Sequence, residues 1–157
     1  MSDMDHAEQY ASAAERHYFD GDFLHGDGRL PNADYHFGFA VECALKSLML
    51  RYLGATMGPK PNGKFAKGPW SLGEDGKAQE YSHMPKFIDG IRLLAEGRAG
   101  ARLTTALDAL SAFDRWSVDQ RYLDGSDADP TTVESRRAVA YDIIDLHQLA
   151  LLGERLP

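Results

Sequence analysis

The sequence predicts an all-α domain, an up-down bundle of four to five helices, and two observations predict it. Apolar residues recur at three- and four-residue spacing in five separate stretches, and no stretch shows a convincing period-two alternation. A chain of 157 residues fits one domain, so the five stretches should share one core spanning 1–157. An apolar share of 43% with 26% charged residues is ordinary globular usage and excludes overall disorder.

The first stretch, about Asp3 to Phe23, sets Ala7, Tyr10, Ala11, Ala14, Tyr18 and Phe19 on one stripe, and Gly21, Gly26 and Gly28 then discourage further helix. After Leu30-Pro31, Asn32 or Asp34 offers a cap for a second helix running to about Leu53, with Gly54 as its stop. Phe37, Ala40, Val41, Ala44, Leu45, Leu48 and Met49 make it the best core helix of the chain. Residues 54–82 change character. Glycine and proline dominate, Lys60, Lys64, Lys67 and Lys77 are interspersed, and Asn62-Gly63 suits the turn of a short hairpin. So long a connection is a solvated insertion, a substrate-contacting lid or a docking loop, and Trp70 within it covers core surface.

A third helix is expected from about Met84 to Glu96, with Phe87, Ile88, Ile91, Leu94 and Ala95 inward. A fourth is expected from about Arg102 into Trp116, carrying Leu103, Ala106, Leu107, Leu110, Ala112 and Phe113. The polar break at 124–130 ends at Thr131 or Thr132 as a cap. The last helix runs from about Val133 to Leu152 on Val133, Ala140, Ile143, Ile144, Ala150 and Leu151.

Composition narrows the function. No stretch approaches the roughly 20 apolar residues that cross a bilayer, and the acidic start Met1-Ser2-Asp3-Met4-Asp5 lacks the pattern of a secretory signal. A cytoplasmic protein without membrane contact is expected. Cys43 is the one cysteine; it excludes an intramolecular disulfide and, set among Ala40, Val41, Ala44 and Leu45, reads as a small buried thiol. His6, His17, His25, His83 and His147 show no metal-binding spacing, and Asp124, Asp127 and Asp129 lack the glycine and glutamate of a calcium loop. His147 reads as an interior histidine. No metal and no cofactor are expected. A net charge of −7 opposes general duplex binding, so any nucleic acid contact must be a local basic patch.

Gly38 would let another helix approach the second one closely. Glu42 and Lys46, four apart, can pair on one helix face. Glu42 also lies beside apolar positions, where a carboxylate needs a cationic partner, and Arg121 is the expected one. Such a pair would be a structural staple or the remnant of an active site.

The run from Gly28-Arg29 through Gly38-Phe39-Ala40-Val41-Glu42-Cys43-Ala44-Leu45-Lys46 resembles the second helix of HEPN proteins, the nucleotide-binding helical domains of higher eukaryotes and prokaryotes. Trp116-Ser117-Val118-Asp119-Gln120-Arg121-Tyr122 resembles the turn before their last helix. The resemblance covers most of the chain outside the insertion. It implies a homodimer, an RNA or nucleotide ligand, and, in some members, toxins paired with a nucleotidyltransferase-type antitoxin. Ribonuclease members carry arginine, four to six residues, then histidine at the start of a late helix. There histidine moves the 2′-hydroxyl proton and arginine offsets phosphate charge. Here no histidine follows Arg115, and Tyr122 stands where one is expected. Tyrosine, with an ordinary pKa of about 10, is a poor base at neutral pH.

The expectation is therefore a binding or regulatory module of toxin-antitoxin or defence type, with a site at Arg115, Arg121, Tyr122 and Glu42. One alternative is a metal-independent ribonuclease toxin using Arg115, Arg121 and Tyr122. Another is a non-catalytic adaptor docking through residues 60–77. Arg29 and His36 match the arginine-to-histidine spacing outside the expected place and form an alternative pair.

Overall fold

The computed structural model describes residues 1–157. In chain order it holds α1 (Asp3–Gly26), α2 (Leu30–Tyr52), β1 (Trp70–Leu72), β2 (Ala78–Glu80), α3 (Ile88–Ala95), α4 (Ala101–Ala109) and α5 (Pro130–Gly153), with 3-10 turns at Leu110–Phe113 and Val118–Tyr122.

α1 opens on a reciprocal cap. Ser2 Oγ accepts the Asp5 amide at 3.1 Å and the Asp5 carboxylate accepts the Ser2 amide at 2.7 Å, satisfying two donors that the helix leaves free. The chain turns at Gly28, whose φ of +75° is left-handed, and α2 starts almost at once. Arg29 takes the cap position without a side-chain bond and Pro31 sits in the first turn, so Asn32 and Asp34 lie inside the helix instead of capping it. Proline's fixed φ suits a first turn, which lets the helix begin before it.

Directions follow from the contacts. His17 of α1 meets His36 and Tyr10 meets Lys46, so α1 and α2 are antiparallel. α5 runs parallel to α2, with Asp34 on Arg136 and Ser47 on His147. Arg102 of α4 meets Asp145, while the carbonyl of Ala112 meets Arg136, so this segment opposes α5. The arrangement is the expected up-down bundle, with α3 as a short addition. α2 forms its axis: every residue from Ala40 to Leu50 is buried. One apolar cluster, from Ala7 to Ala150, draws on all five helices. No helix is long and apolar enough to cross a membrane.

Besides the early start of α2, four boundaries differ from expectation. α1 runs on through Gly21 to Gly26, because Gly21 packs against Phe37 and His36 of α2. α3 is shorter because residues 84–87 form turns before it, and α4 tightens into a 3-10 turn at Leu110 before reaching Trp116. α5 is capped by Asp129, whose carboxylate accepts the Thr132 amide at 2.9 Å, with Pro130 at the first position in place of a threonine cap. The insertion's hairpin lies not at Asn62-Gly63, which makes a turn without strands, but further on, with Trp70 opposite Glu80 and Leu72 opposite Ala78, and with Thr56 bridged to Trp70. Strands of three residues are too short to display an alternating pattern. Trp70 is buried and its indole N–H donates to the Gly58 carbonyl at 2.8 Å, so it closes the insertion on itself.

Candidate functional site

Between the first turn of α2 and the segment after Trp116 lies a cleft of about 450 Å³. Arg29, Pro31, Asn32 and Tyr35 form one wall, and Gln120, Arg121, Leu123, Asp124 and Gly125 the other.

The second wall is held by buried polar bonds. Trp116 packs directly against Gly38, and its indole N–H donates to the Asp34 carbonyl at 3.0 Å. Asp34, 1% exposed, accepts from Arg136 Nη1 at 2.7 Å and from Gln120 Nε2 at 2.9 Å on the same oxygen, Oδ2. Arg136 Nε donates to the Ala112 carbonyl at 2.8 Å. A buried ion pair is favoured when hydrogen bonds meet its remaining donors and acceptors. Here the ties run from α2 and α5 to the chain on either side of Trp116, while Asp34 Oδ1 and Gln120 Oε1 are buried without a partner. Gln120 is thereby fixed, and Arg121 follows it out to the surface.

Arg121 is exposed, with its guanidinium 4.8 Å from the centre of the Tyr122 ring. The Tyr35 hydroxyl and then that of Tyr122 push its pKa further up. A guanidinium supported on an aromatic face offers the edge donors that the two tyrosine hydroxyls do not take to a phosphate or carboxylate. The first turn of α2 has no acidic residue and no side-chain cap, so the positive end of that helix dipole also faces this wall. Arg29 is bonded to Asp27 at 2.8 Å, an exposed pair of little strength. No histidine lines the cleft. Its one carboxylate, Asp124, has a lowered pKa because the Ser126 amide and hydroxyl bond it.

Arg115 is exposed and does not line the cleft. Glu42 is not there either, and Arg121 is not its partner. Glu42, 2% exposed, accepts from Lys46 Nζ at 2.8 Å, from His83 Nδ1 at 2.9 Å and from the Met84 amide at 3.1 Å. Lys46 also donates to the Ser82 carbonyl, with its ammonium 5.6 Å from the Tyr10 ring centre and 5.9 Å from that of Phe87. Lys46 is one helical turn away and the end of the insertion supplies two further donors, so the carboxylate is filled locally. The group acts as a staple that fastens residues 82–84 to α2. His83 remains half exposed.

Arg29 and His36 are separated. Arg29 faces the cleft, while His36 turns to α1 and places Nδ1 2.9 Å from His17 Nδ1. Burial lowers both imidazole pKa values, and the charge of Arg16 adds to the effect in each. Cys43 is inert: burial, then the charge of Glu42, pushes its thiol up to about 12.

Sequence reasoning missed Asp34, Gln120, Arg136 and His83. Arg136 had a readable signal, since its spacing from Val133 and Ala140 puts it on the buried face of α5. A second cleft of about 450 Å³ between α4 and α5 is mostly apolar, and its Arg102 is taken by Asp145. No group of three or more histidine, cysteine or acidic side chains is arranged to hold a metal ion. No family model, characterised protein or solved structure matches the chain.

Proposed function

We propose that the chain is a HEPN-like binding or regulatory module that holds a nucleotide or an RNA end in the Arg121 cleft without cleaving it. The observation that carries this reading is the Arg121 guanidinium, stacked on Tyr122 and next to Tyr35, on the wall of a cleft that also receives the uncapped start of α2. Arginine edges and helix N-termini suit phosphate oxygens, and exposed tyrosines suit a base. Binding is favoured over hydrolysis because the cleft supplies no imidazole, and an acid of lowered pKa such as Asp124 is a weak proton acceptor.

The homodimer and the nucleotidyltransferase-type partner that the resemblance implies belong to the same proposal. Tyr122, 75% exposed, is open to such a partner.

Calorimetric titration with 5′-AMP tests the reading. Saturable binding is expected, weakened about tenfold or more by Arg121→Ala, since a hydrogen bond to a charged group contributes about 1.5–3 kcal/mol. Labelled RNA should remain intact. An Arg121→Ala protein that binds like the parent sinks the reading, as does RNA turnover abolished by Arg115→Ala or Arg121→Ala.

A further inference from the structure

The insertion carries a charge pattern unlike the rest of the molecule. From Glu42 to Glu74 no acidic residue intervenes, in a chain of net charge −7, and Lys60, Lys64 and Lys67 fall in that run. Lys60 Nζ is held by Glu80 Oε2 at 2.6 Å, and the other oxygen of Glu80 accepts the Lys67 amide at 2.7 Å. Glu80 is thus consumed, and the side chains of Lys64 and Lys67 have no ion-pair partner.

Between those two lysines Phe65 stands 89% exposed, the most exposed large apolar side chain of the molecule. The backbone around it is a built turn. The Lys60 amide donates to the Lys64 carbonyl at 3.0 Å, the Gly63 amide to the Lys60 carbonyl at 2.8 Å, and the Lys64 amide to Asn62 Oδ1 at 3.0 Å. Gly63 takes a φ of +76°, which a glycine adopts without strain.

We propose that the Lys64–Phe65–Lys67 apex binds single-stranded RNA, with a base stacked on Phe65 and neighbouring phosphates on the two lysines. Every base offers a π face, so an aromatic ring flanked by cations is the minimal single-strand platform. Other occupants fit less well. Two lysines contribute about 2 kcal/mol at an anionic membrane, short of stable anchoring. One turn offers far less than the roughly 800 Å² per partner of a stable protein interface.

This surface is independent of the Arg121 cleft. The insertion leaves the C-terminal end of α2 and is tied to the start of α1 by the Met57 amide on Asp3 Oδ1 at 2.7 Å. The cleft sits at the other end of α2, a helix of 23 residues and so about 34 Å long.

Anisotropy of a fluorescein-labelled 12-nucleotide oligouridylate, measured across a salt series, tests the proposal. Lys64→Ala/Lys67→Ala should weaken binding and reduce the slope of log K against log salt by about 1.4, near 0.7 per lost phosphate contact. Phe65→Leu should weaken binding about tenfold while Phe65→Trp preserves it and is quenched by the oligomer, because stacking needs a ring. These positions are exposed, so the variants should melt like the parent. An unchanged slope in the lysine variant, or parental binding by Phe65→Leu, overturns the proposal. So does binding to phosphatidylserine vesicles without binding to the oligomer. Loss of 5′-AMP binding in Arg121→Ala, with these loop effects intact, leaves the two sites separate. Loop effects without any 5′-AMP binding would sink the cleft reading alone.

Discussion

Trp116 occupies the space that a side chain on Gly38 would need: a Cβ there would stand 1.8 Å from the indole Cε2. The two residues are far apart in sequence, and their contact fixes where the chain before α5 lies on α2. Gly38→Ala must push a fully buried ring out of its seat, so a loss of about 3 kcal/mol or more is expected in urea unfolding. Trp116→Phe should cost less, about 1–3 kcal/mol, chiefly through the lost bond to the Asp34 carbonyl. Equal stability of Gly38→Ala and the parent would show that the contact is slack.

The role of Gly38 is half legible in the sequence. A glycine in an apolar helix signals close approach, but the approaching group is an indole from a distant turn, where a second helix is expected. Helix periodicity recovers α1, α2 and α5 because their apolar stripes repeat over 23 or 24 residues. It cannot recover the hairpin, whose strands have three residues each. Arg121 and Tyr122 are neighbours in the sequence, and the structure puts both on the surface, with Arg121 beside Tyr35. Glu42 does not belong with them: helix spacing gives its partner Lys46, but its other partners, His83 and the Met84 amide, come from the insertion, and spacing along a helix says nothing about where a loop returns.

The pair Asp34–Arg136 gives a second expectation. Both are buried, so Arg136→Met should leave a carboxylate without its cation and cost about 3–5 kcal/mol. Asp34→Leu alone should be comparably harmful, while the double variant should recover much of the loss, because two apolar groups need no partners. Strict additivity in a double-mutant cycle would mean that the pair does not act as a unit. Gln120 is bonded to the same Asp34 oxygen, so either single change should also weaken a ligand held by Arg121.

Lys46→Met tests the staple. Glu42 would keep only His83 and the Met84 amide, and a buried charge short of its cation should lower stability by about 3 kcal/mol. The more specific readout is amide exchange. Protection at Met84 should fall further than at Ala44 within α2, since residues 82–84 lose one of their three holds. Uniform loss of protection across both would point to global destabilisation without a local latch.

His147 should make the fold less stable in acid. It is 1% exposed, bonded through Nε2 to Ser47 at 3.0 Å, and its Nδ1 has no partner. Burial first, and then the positive charge of Arg51, lowers its pKa from 6.5 to about 4. Between those values the unfolded chain takes up a proton that the fold refuses, so stability rises with pH across that window and is lost as pH falls through it. Above 6.5 both states are neutral at this residue and its contribution is flat. The whole effect amounts to about 3 kcal/mol at most, because each tenfold change in proton affinity corresponds to about 1.4 kcal/mol. His17 and His36, also lowered by burial, pull in the same direction. His147→Gln keeps a hydrogen-bonding group near Ser47 and removes the titration, so it should flatten the fall in stability between pH 6.5 and about 4. Denaturant midpoints taken from about pH 7.5 down to about pH 4 measure it, and parallel curves for variant and parent would show that His147 is not the residue responsible.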